Sequence, residues 1–464
     1  MALGLLVALY LLATLCIGLV AASLIRGSSD FINASRRLPF SLSAMALFAL
    51  WYGSETVFGA SAEFVQHGLL GVIEDPFGGF LCLLLFALLL LRPLYRRNLL
   101  TLADLFRQRY GARVESVAAF CMILTFVGYI AAQLIALSLL FETVFGLSQQ
   151  GGLLLSALIV TAYTSAGGMW AVSLTDFVQS LVIIAGLLLL CLFFTDRIGF
   201  AGVMQAPRPG FFDFVPNASN GASWLEWWAA WLTLGLGSLA SQDIFQRANA
   251  ARSEAIAVAS TVCGAFLYLL FALLPLYLGL VVLRLEPGLL QGDTQNALLA
   301  LVALHAPLWL QVLFYGALIS AIFSTCSGAL LAPSAILAEN LIKPLLLPQA
   351  DDRALLWISR SSVVIMALVA TLVALQSGNI YELVAESSVL GAVSILVPLV
   401  FALFVPGATA TGAVASMLSG LLVWLWFAYG QPEFPVPALF MGMLASLLGM
   451  GLGCLPGSMR STRG

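Results

Sequence analysis

Charge is scarce in this chain of 464 residues. Asp, Glu, Lys and Arg together make up 9% of it, against about 25% in ordinary soluble domains, and 61% of the residues are hydrophobic. Lysine occurs once, as Lys343, and the net charge of -3 with no basic tract argues against a nucleic-acid-binding surface. A soluble fold could not hide so much apolar surface from water, so the composition predicts a protein whose solvent is a lipid bilayer.

Metal-ligating and redox-active residues are also few. His67 and His305 are the only histidines, so a histidine-based metal site is not expected. The cysteines form no CxxC pair, and we interpret them as small packing residues. The cysteines are Cys16, Cys82, Cys121, Cys191, Cys263, Cys326 and Cys454. No nucleophile is paired with a base, so an enzyme is not expected.

Long apolar runs fill most of the chain. The first, from Ala2 to about Ile25, is followed rather than preceded by a positive residue, Arg26, which indicates a membrane helix with its start outside, not a cleaved signal peptide. Since about 20 apolar residues cross the hydrocarbon core, thirteen transmembrane helices in a single membrane domain are predicted. Numbered 1 to 13, they span roughly 3–25, 40–66, 69–92, 114–145, 150–166, 170–195, 223–246, 255–284, 308–340, 354–376, 380–404, 407–429 and 436–456.

The placement of basic residues supports this layout. With the N-terminus outside and the C-terminus inside, 3 of the 19 basic residues fall in outer loops, namely Arg197, Arg208 and Arg284. The other 16 fall in inner loops, which agrees with the positive-inside rule. The inner residues are Arg26, Arg36, Arg37, Arg92, Arg96, Arg97, Arg107, Arg109, Arg113, Arg247, Arg252, Lys343, Arg353, Arg360, Arg460 and Arg463. The long outer segment of about 196–222, with Pro207, Pro209, Gly210, Pro216 and Gly221, is predicted to form an ordered cap.

Two predicted helices carry polar and glycine residues at mid-membrane depth. Helix 2 contains Trp51-Tyr52-Gly53-Ser54-Glu55, and helix 7 contains Gly235-Leu236-Gly237-Ser238 followed by Ser241-Gln242-Asp243. Each opens a run of five helices, and interrupted helices at matching positions are typical of inverted-repeat transporters. The repeats would cover about 40–195 and 223–404, with helices 1, 12 and 13 outside them. Close helix packing through glycine is the alternative interpretation.

Intramembrane carboxylates and hydroxyls supply candidate site residues. A charged residue in the bilayer is a functional candidate by default, although each could also lie near an interface or pair with an arginine. In helix 9, Ser324 and Ser327 share a face and Thr325 stands beside them. Oxygen ligands suit a hard cation such as sodium, while hydroxyls also serve plain helix packing. The carboxylate candidates are Glu55, Glu74, Asp75, Asp176 and Asp243.

Four stretches make the chain resemble the sodium/solute symporter family. They are Ser29-Asp30-Phe31 through Arg36-Arg37-Leu38-Pro39, Tyr163-Thr164-Ser165-Ala166-Gly167-Gly168 continuing to Thr175-Asp176-Phe177-Val178-Gln179, Phe245-Gln246-Arg247 with Ala250-Ala251-Arg252, and Ser324-Thr325. The resemblance implies a LeuT-type fold and sodium-coupled symport. It also implies one sodium ion bound by the carbonyls of Ala49, Tyr52 and Ala321 and the hydroxyls of Ser324 and Thr325. Some members hold a second sodium ion, here matching Asp176 and Ser327, but Gly328 stands where they tend to have another serine.

The resemblance places substrate residues at the two breaks and on helix 3. They are Trp51, Glu55, Thr56, Asp75, Gly78, Ser241, Gln242 and Asp243. Trp51 and Ser241 replace the asparagines of sugar-binding members, so a sugar is not favoured. The stretch from Trp51 to Glu63 is nearer to choline-transporting members, yet Ser241 stands where those have a tryptophan. An amine or amino acid is the expected solute, because aromatic faces attract desolvated cations and the lining carboxylates are otherwise uncompensated.

Other functions stay open at this point. Sugars and monocarboxylates are the alternative solutes, since sugar-binding relatives also carry acidic residues at the positions of Glu55 and Asp75. Some transporter-like domains of this family act as membrane sensors fused to kinases, and a chain ending soon after helix 13 would need a separate partner for that role. A channel is disfavoured because broken helices around a closed pocket do not form a continuous pore.

Overall fold

The protein is predominantly helical in the residues that a computed structural model describes, 2–22, 27–217, 223–292, 294–376 and 379–455. In these ranges, eight helical stretches are long and apolar enough to cross a membrane, and four shorter apolar helices accompany them. The predicted all-α membrane fold is therefore confirmed. The count of thirteen spans stays a prediction, because neighbouring predicted helices join at kinks. One stretch, Glu55–Tyr95, contains the end of predicted helix 2 and all of helix 3.

Most helices of seven residues or more lie within the predicted segments, but Ala103–Tyr110 and Ala297–His305 fall in predicted loops. In chain order, the helices of this length are α1 Ala2–Ala22, α2 Phe40–Trp51, α3 Ala60–His67, α4 Gly79–Leu85, α5 Ala103–Tyr110, α6 Ala112–Phe145, α7 Gln149–Ile198, α8 Trp224–Gly237, α9 Gln242–Asn249, α10 Glu254–Leu285, α11 Ala297–His305, α12 Leu308–Ile336, α13 Asp352–Ala374, α14 Ile380–Gly391, α15 Val397–Phe404, α16 Ala410–Leu425 and α17 Ala438–Gly453.

Helix α12 is the centre of the bundle. Every residue from Phe314 to Ile336 is buried, and the helix packs against α7, α6, α13, α1, α2 and α9. A helix that is apolar on all sides must be enclosed by other helices or lipid. Its hydroxyl residues Ser320, Ser324, Thr325 and Ser327 are consequently held inside protein rather than in the hydrocarbon.

Both predicted helix breaks are confirmed. α2 ends at Trp51, Tyr52 follows with ψ 63°, and the chain resumes in a π-helical turn from Glu55 to Gly59 before α3. α8 and α9 are separated at Ser241, whose backbone is extended. Irregular backbone is tolerated at membrane depth only where it is enclosed by protein or lines a cavity. Tyr52 is buried, and Ser241 is half-buried between the buried residues Ala240 and Gln242.

Two further irregularities were not predicted. Predicted helix 3 contains an extended residue, Asp75 (φ -136°, ψ 121°). Predicted helices 5 and 6 form the single helix α7, kinked at Gly168 (φ 48°, ψ -154°). A Cβ on Gly168 would lie 2.6 Å from the carbonyl oxygen of Phe31. Only glycine combines this positive φ with so close a backbone approach, which explains the Gly167-Gly168 element of the sequence motif.

One end of the bundle, here called the Leu38 end, is cross-linked by polar contacts. The Leu38 amide donates to the Ala250 carbonyl, and the Arg252 amide donates to the Leu38 carbonyl, both at 3.0 Å. The Tyr95 hydroxyl donates to the Ala251 carbonyl at 2.8 Å. Arg96 forms an exposed ion pair with Glu254 at 2.7 Å, and this hydrogen bond raises the pKa of the Arg96 guanidinium. These contacts tie three loops together.

The opposite end is covered by the segment predicted as a cap. The Leu69 amide donates to the Phe211 carbonyl at 2.9 Å. Phe211 packs against Phe64, and Phe214 packs against Phe77, with ring centroids 5.0 and 4.9 Å apart. The described part of the segment is therefore ordered by aromatic contacts. Gly221 of the predicted cap lies outside the described residues, as do Arg26, Arg460 and Arg463 of the basic-residue tally.

Candidate functional site

The break in α2 meets the hydroxyl residues of α12 directly. The Thr325 hydroxyl donates to the Ala49 carbonyl oxygen at 2.9 Å, so two of the five predicted sodium ligands are in contact. Tyr52 is the residue at which α2 stops, and Ala321 lies one turn before Thr325 on α12. All the predicted ligands therefore come from the break and from one facing segment of α12. Carbonyl and hydroxyl oxygens of this kind are suitable ligands for sodium.

Ser324, the remaining predicted ligand, faces a buried ion pair. Its hydroxyl donates to Oδ1 of Asp176 on α7. Oδ2 of the same carboxylate is 3.4 Å from Nη2 of Arg247 on α9. Ser327, predicted with Asp176 to hold a second ion, donates instead to the Ser324 carbonyl at 2.8 Å. Asp176 therefore contacts Ser324 and Arg247, whereas the hydroxyl of Ser327 is bonded within α12.

The position of Arg247 corrects one detail of the topology argument. The tally of basic residues assigns it to an inner loop, but its side chain is only 1% exposed. A fully buried guanidinium is placed by its carboxylate partner and not by the positive-inside bias. Without it, inner and outer basic residues number 15 (16 minus 1) and 3, so the direction of the bias is unchanged.

A pocket lies between the two breaks. Four of the predicted substrate residues line it: Trp51, Glu55, Ser241 and Asp243. Its other walls come from α6, α8 and α14, and include Met122, Thr125, Phe126, Tyr129, Gly237, Ser238, Val384, Ser387 and Ser388. Two carboxylates from opposite breaks thus face one cavity that also has three aromatic side chains.

Both pocket carboxylates are held by hydrogen bonds from the protein. Glu55 accepts from Gln133 Nε2 at 2.8 Å, and more weakly from the Ser54 and Tyr129 hydroxyls at 3.4 Å. Asp243 accepts from the Ser241 hydroxyl and from the Ile244 amide at 2.8 Å. A carboxylate has about four lone-pair positions, so each can accept a further hydrogen bond from a solute.

The other four predicted substrate residues do not line the pocket. Thr56 donates to Asp75 Oδ2 at 3.0 Å, and the Tyr268 hydroxyl donates to Oδ1 of the same carboxylate. This group lies behind Trp51, whose ring packs edge-on against Tyr268. Gly78 lies where its segment packs against α8, and an added Cβ would be 3.5 Å from the backbone nitrogen of Gly235.

Gln242 points away from the pocket. Its Oε1 accepts a hydrogen bond from the Leu102 amide at 2.7 Å, which places the side chain toward the Leu38 end. Ser241 and Asp243, its neighbours in sequence, are in the pocket. Adjacent residues of a helix start project in different directions, so a run of polar residues does not share one environment.

The sequence reasoning missed the contribution of α6. Tyr129 donates to the Leu50 carbonyl at 3.2 Å, and Gln133 both accepts from the Ser54 amide at 3.1 Å and donates to Glu55. These two side chains hold the α2 break in place. Their four-residue spacing, which puts them on one face of a helix, was the available signal in an otherwise apolar segment. Ser387 and Ser388 of α14 were also missed.

Comparisons with known proteins identify the family of this chain. The profile of the sodium:solute symporter family matches residues 31–420. The human high affinity choline transporter 1 is 27% identical over 414 residues, covering 85% of this chain and 70% of the relative. The sodium/proline symporter of Haemophilus influenzae is 27% identical over 446 residues, covering 90% and 86%.

A solved Na+-coupled sialic acid symporter in a substrate-bound outward-open state has the same fold. The two structures align with a TM-score of 0.81 over 98% of both chains at 18% identity. Together with the two helix breaks, this similarity confirms the predicted LeuT-type fold. A fold alone does not identify an activity, but the family match extends over both helix breaks and α12. The chain belongs to the sodium:solute symporter family and is a multi-pass membrane protein that couples transport of a small organic solute to sodium.

Proposed function

We propose that the transported sodium ion binds where the α2 break faces α12. Its ligands would be the carbonyl oxygens of Ala49, Tyr52 and Ala321 and the hydroxyl oxygens of Ser324 and Thr325. The hydrogen bond from Thr325 to the Ala49 carbonyl supports this assignment, because both oxygens can turn their lone pairs to a cation between them. The Ser324 hydroxyl can bind a cation through a lone pair of its oxygen while it still donates its hydrogen bond to Asp176.

Coupling to the solute follows from the position of this site on α2. Ala49 and Trp51 lie just before the break and Glu55 just after it, and Trp51 and Glu55 line the pocket. An ion that orders the break therefore also positions these two side chains, and solute binding must favour ion binding to the same degree. Each sodium ion that moves inward down a 100 mV potential contributes about 2.3 kcal/mol to accumulation.

The pocket favours a solute that carries an ammonium group, such as an amine or an amino acid. The observation that carries this proposal is the pair of carboxylates, Glu55 and Asp243, facing one cavity with Trp51 and Tyr129. Among the described residues, its lining includes no Arg or Lys. A cation is attracted both by carboxylates and by aromatic faces. Two relatives are named for solutes of this chemistry: a high affinity choline transporter and a sodium/proline symporter.

A competition experiment tests the solute class. Purified protein in proteoliposomes with an inward sodium gradient would be screened for uptake of labelled proline and labelled choline. Unlabelled amines, basic amino acids and zwitterions would then be compared with glucose, galactose and monocarboxylates as competitors. The proposal expects inhibition by ammonium-bearing compounds. Inhibition by sugars or monocarboxylates alone would contradict the proposal and would identify one of these as the solute class.

We also propose that the Leu38 end faces the cytoplasm, with the N-terminus outside and the C-terminus inside a bacterial inner membrane. The basic residues Arg36, Arg37, Arg96 and Arg252 near this end support the orientation under the positive-inside rule. The test is labelling of whole cells with an impermeant maleimide. The variants would be made in a protein without the seven native cysteines. Ala112→Cys, at the start of α6, should be protected from the reagent. Gly288→Cys, just beyond the end of α10 that is opposite the Leu38 end, should react. The reverse pattern would invert the topology.

We further propose that the chain contains two inverted structural repeats. The two breaks begin equivalent units at about 40–195 and 223–404, and α1, α16 and α17 lie outside them. Five predicted helices per unit, an odd number, require consecutive units to cross the membrane in opposite directions. The central position of the sodium segment and pocket between the two breaks supports this division.

A further inference from the structure

The Asp176–Arg247 pair is enclosed by three helices. Asp176 on α7 is fully buried, and Arg247 on α9 is 1% exposed, with Nη2 and Oδ2 separated by 3.4 Å. Arg247 is among the largest fully buried side chains in the described part of the chain. Charges are buried only when they are compensated. The carboxylate and the guanidinium therefore neutralise each other inside the bundle.

Gly328 on α12 provides the space for the guanidinium. A Cβ at this position would lie 2.2 Å from Nη2, 2.4 Å from Nη1 and 2.7 Å from Cζ of Arg247. Atoms do not approach so closely, so any side chain at residue 328 would displace the guanidinium from its place against the α12 backbone. The guanidinium thus fills the space against Gly328, next to the carboxylate that could otherwise bind a cation.

The same carboxylate contacts the proposed sodium site. Its Oδ1 accepts from the Ser324 hydroxyl, and the adjacent Thr325 donates to the Ala49 carbonyl at 2.9 Å. Ser327 is already engaged with its own helix, donating to the Ser324 carbonyl at 2.8 Å. A second sodium ion at Asp176 would have to share one carboxylate with the guanidinium and would be repelled by it.

We infer that Arg247 is a resident cation that takes the place of a second sodium ion at Asp176, so that the transporter binds a single sodium ion per cycle. This inference rests on the proposed sodium site at the α2 break. It assigns Asp176 a positioning role, because the carboxylate orients the Ser324 hydroxyl and does not itself hold the transported ion.

Sodium binding to the purified full-length protein tests the inference without knowledge of the solute. Equilibrium binding of 22Na+ in detergent, with potassium keeping the ionic strength constant, should saturate at one ion per chain with a Hill coefficient near 1. Two ions per chain would overturn the inference while leaving sodium symport intact. Binding of no sodium would instead contradict the proposed sodium site, so the two failures are distinguishable.

Variants show whether the guanidinium is the reason for the single ion. Arg247→Met and Gly328→Ser should each allow a second ion, raising the bound amount toward two per chain. Asp176→Asn combined with Arg247→Met removes both charges and should return the amount of bound sodium to one ion per chain. Gly316→Ala, another glycine substitution on α12, should stay at one. If either single variant is not monodisperse, the wild type and the neutral double variant still decide the count. A folded Arg247→Met protein that binds one ion would contradict the inference.

Discussion

Thr325 on α12 donates a hydrogen bond to the Ala49 carbonyl at the end of α2, across 2.9 Å and 276 positions of sequence. This contact joins the first helix break to the central helix of the bundle. It also links the proposed ion site to the pocket, because Trp51 and Glu55, on the two sides of the break, line that pocket.

Replacing both Ser324 and Thr325 with alanine should weaken sodium binding strongly. Each substitution removes one of five proposed oxygen ligands, and we expect roughly a tenfold loss per ligand, equivalent to about 1.4 kcal/mol. The measurement is the sodium concentration that gives half-maximal uptake in proteoliposomes. Ser334→Ala is the control, since this buried serine of α12 only donates to its own helix at Leu330. Unchanged sodium dependence in the double variant would contradict the site.

Removing one member of the Asp176–Arg247 pair should destabilise the protein more than removing both. A buried charge left without its partner costs about 3–5 kcal/mol, whereas a neutral replacement of the whole pair costs much less. Thermal unfolding of the wild type, Asp176→Asn, Arg247→Met and the double variant gives a complete double-mutant cycle. Asp196→Asn, an exposed position near the end of α7, is the control. Additive losses in the double variant would show that the two charges do not stabilise each other.

Asp176→Asn should change the sodium requirement more than the choice of solute. The carboxylate contacts Ser324 and not the pocket, so its loss acts on the ion site. Uptake measured against sodium concentration and against a panel of competitors separates these effects. A normal sodium response with an altered competitor series would reverse the assignment.

Glu55→Gln should impair recognition of ammonium-bearing solutes while preserving the side-chain size. The charge of Glu55 faces the pocket, and charge-assisted hydrogen bonds are stronger than neutral ones. We expect the half-saturating solute concentration to rise at least roughly tenfold. The control is Glu142→Gln, at an exposed position on the same helix as Tyr129 and Gln133. Equal affinity for amines in wild type and Glu55→Gln would mean that this carboxylate only supports the break.

Gly168→Ala should reduce the yield of folded protein more than Gly199→Ala. Both glycines have positive φ, which costs other residues about 1–2 kcal/mol. A Cβ at residue 168 would also collide with Phe31, whereas nothing lies within 4 Å of one at residue 199. Thermal stability after purification should therefore separate backbone strain from steric conflict. Equal stability of the two variants would show that Phe31 can shift to accommodate the added Cβ at little cost.

The sequence alone determined the class of protein and the two broken helices, and it supplied the residues that we propose for the ion site. Hydropathy and charge placement indicate whether a segment lies in lipid or in water. Glycine with polar residues inside an apolar run marks where a helix is interrupted. Ser324 and Thr325 could be named because a short motif carries them. These features depend on local composition, which the chain shows directly.

Only the tertiary structure decided which polar residues meet. Gln242 turns to Leu102 while its neighbours Ser241 and Asp243 enter the pocket, and Asp75 is engaged by Tyr268 behind it. Arg247 leaves its predicted loop for a buried pair with Asp176, in space that Gly328 provides. Periodicity assigns a residue to a face of its own helix, but the partner opposite that face lies tens to hundreds of positions away in sequence. Packing of the whole bundle selects that partner, because a buried charge or hydrogen-bonding group must be satisfied wherever the helices come together.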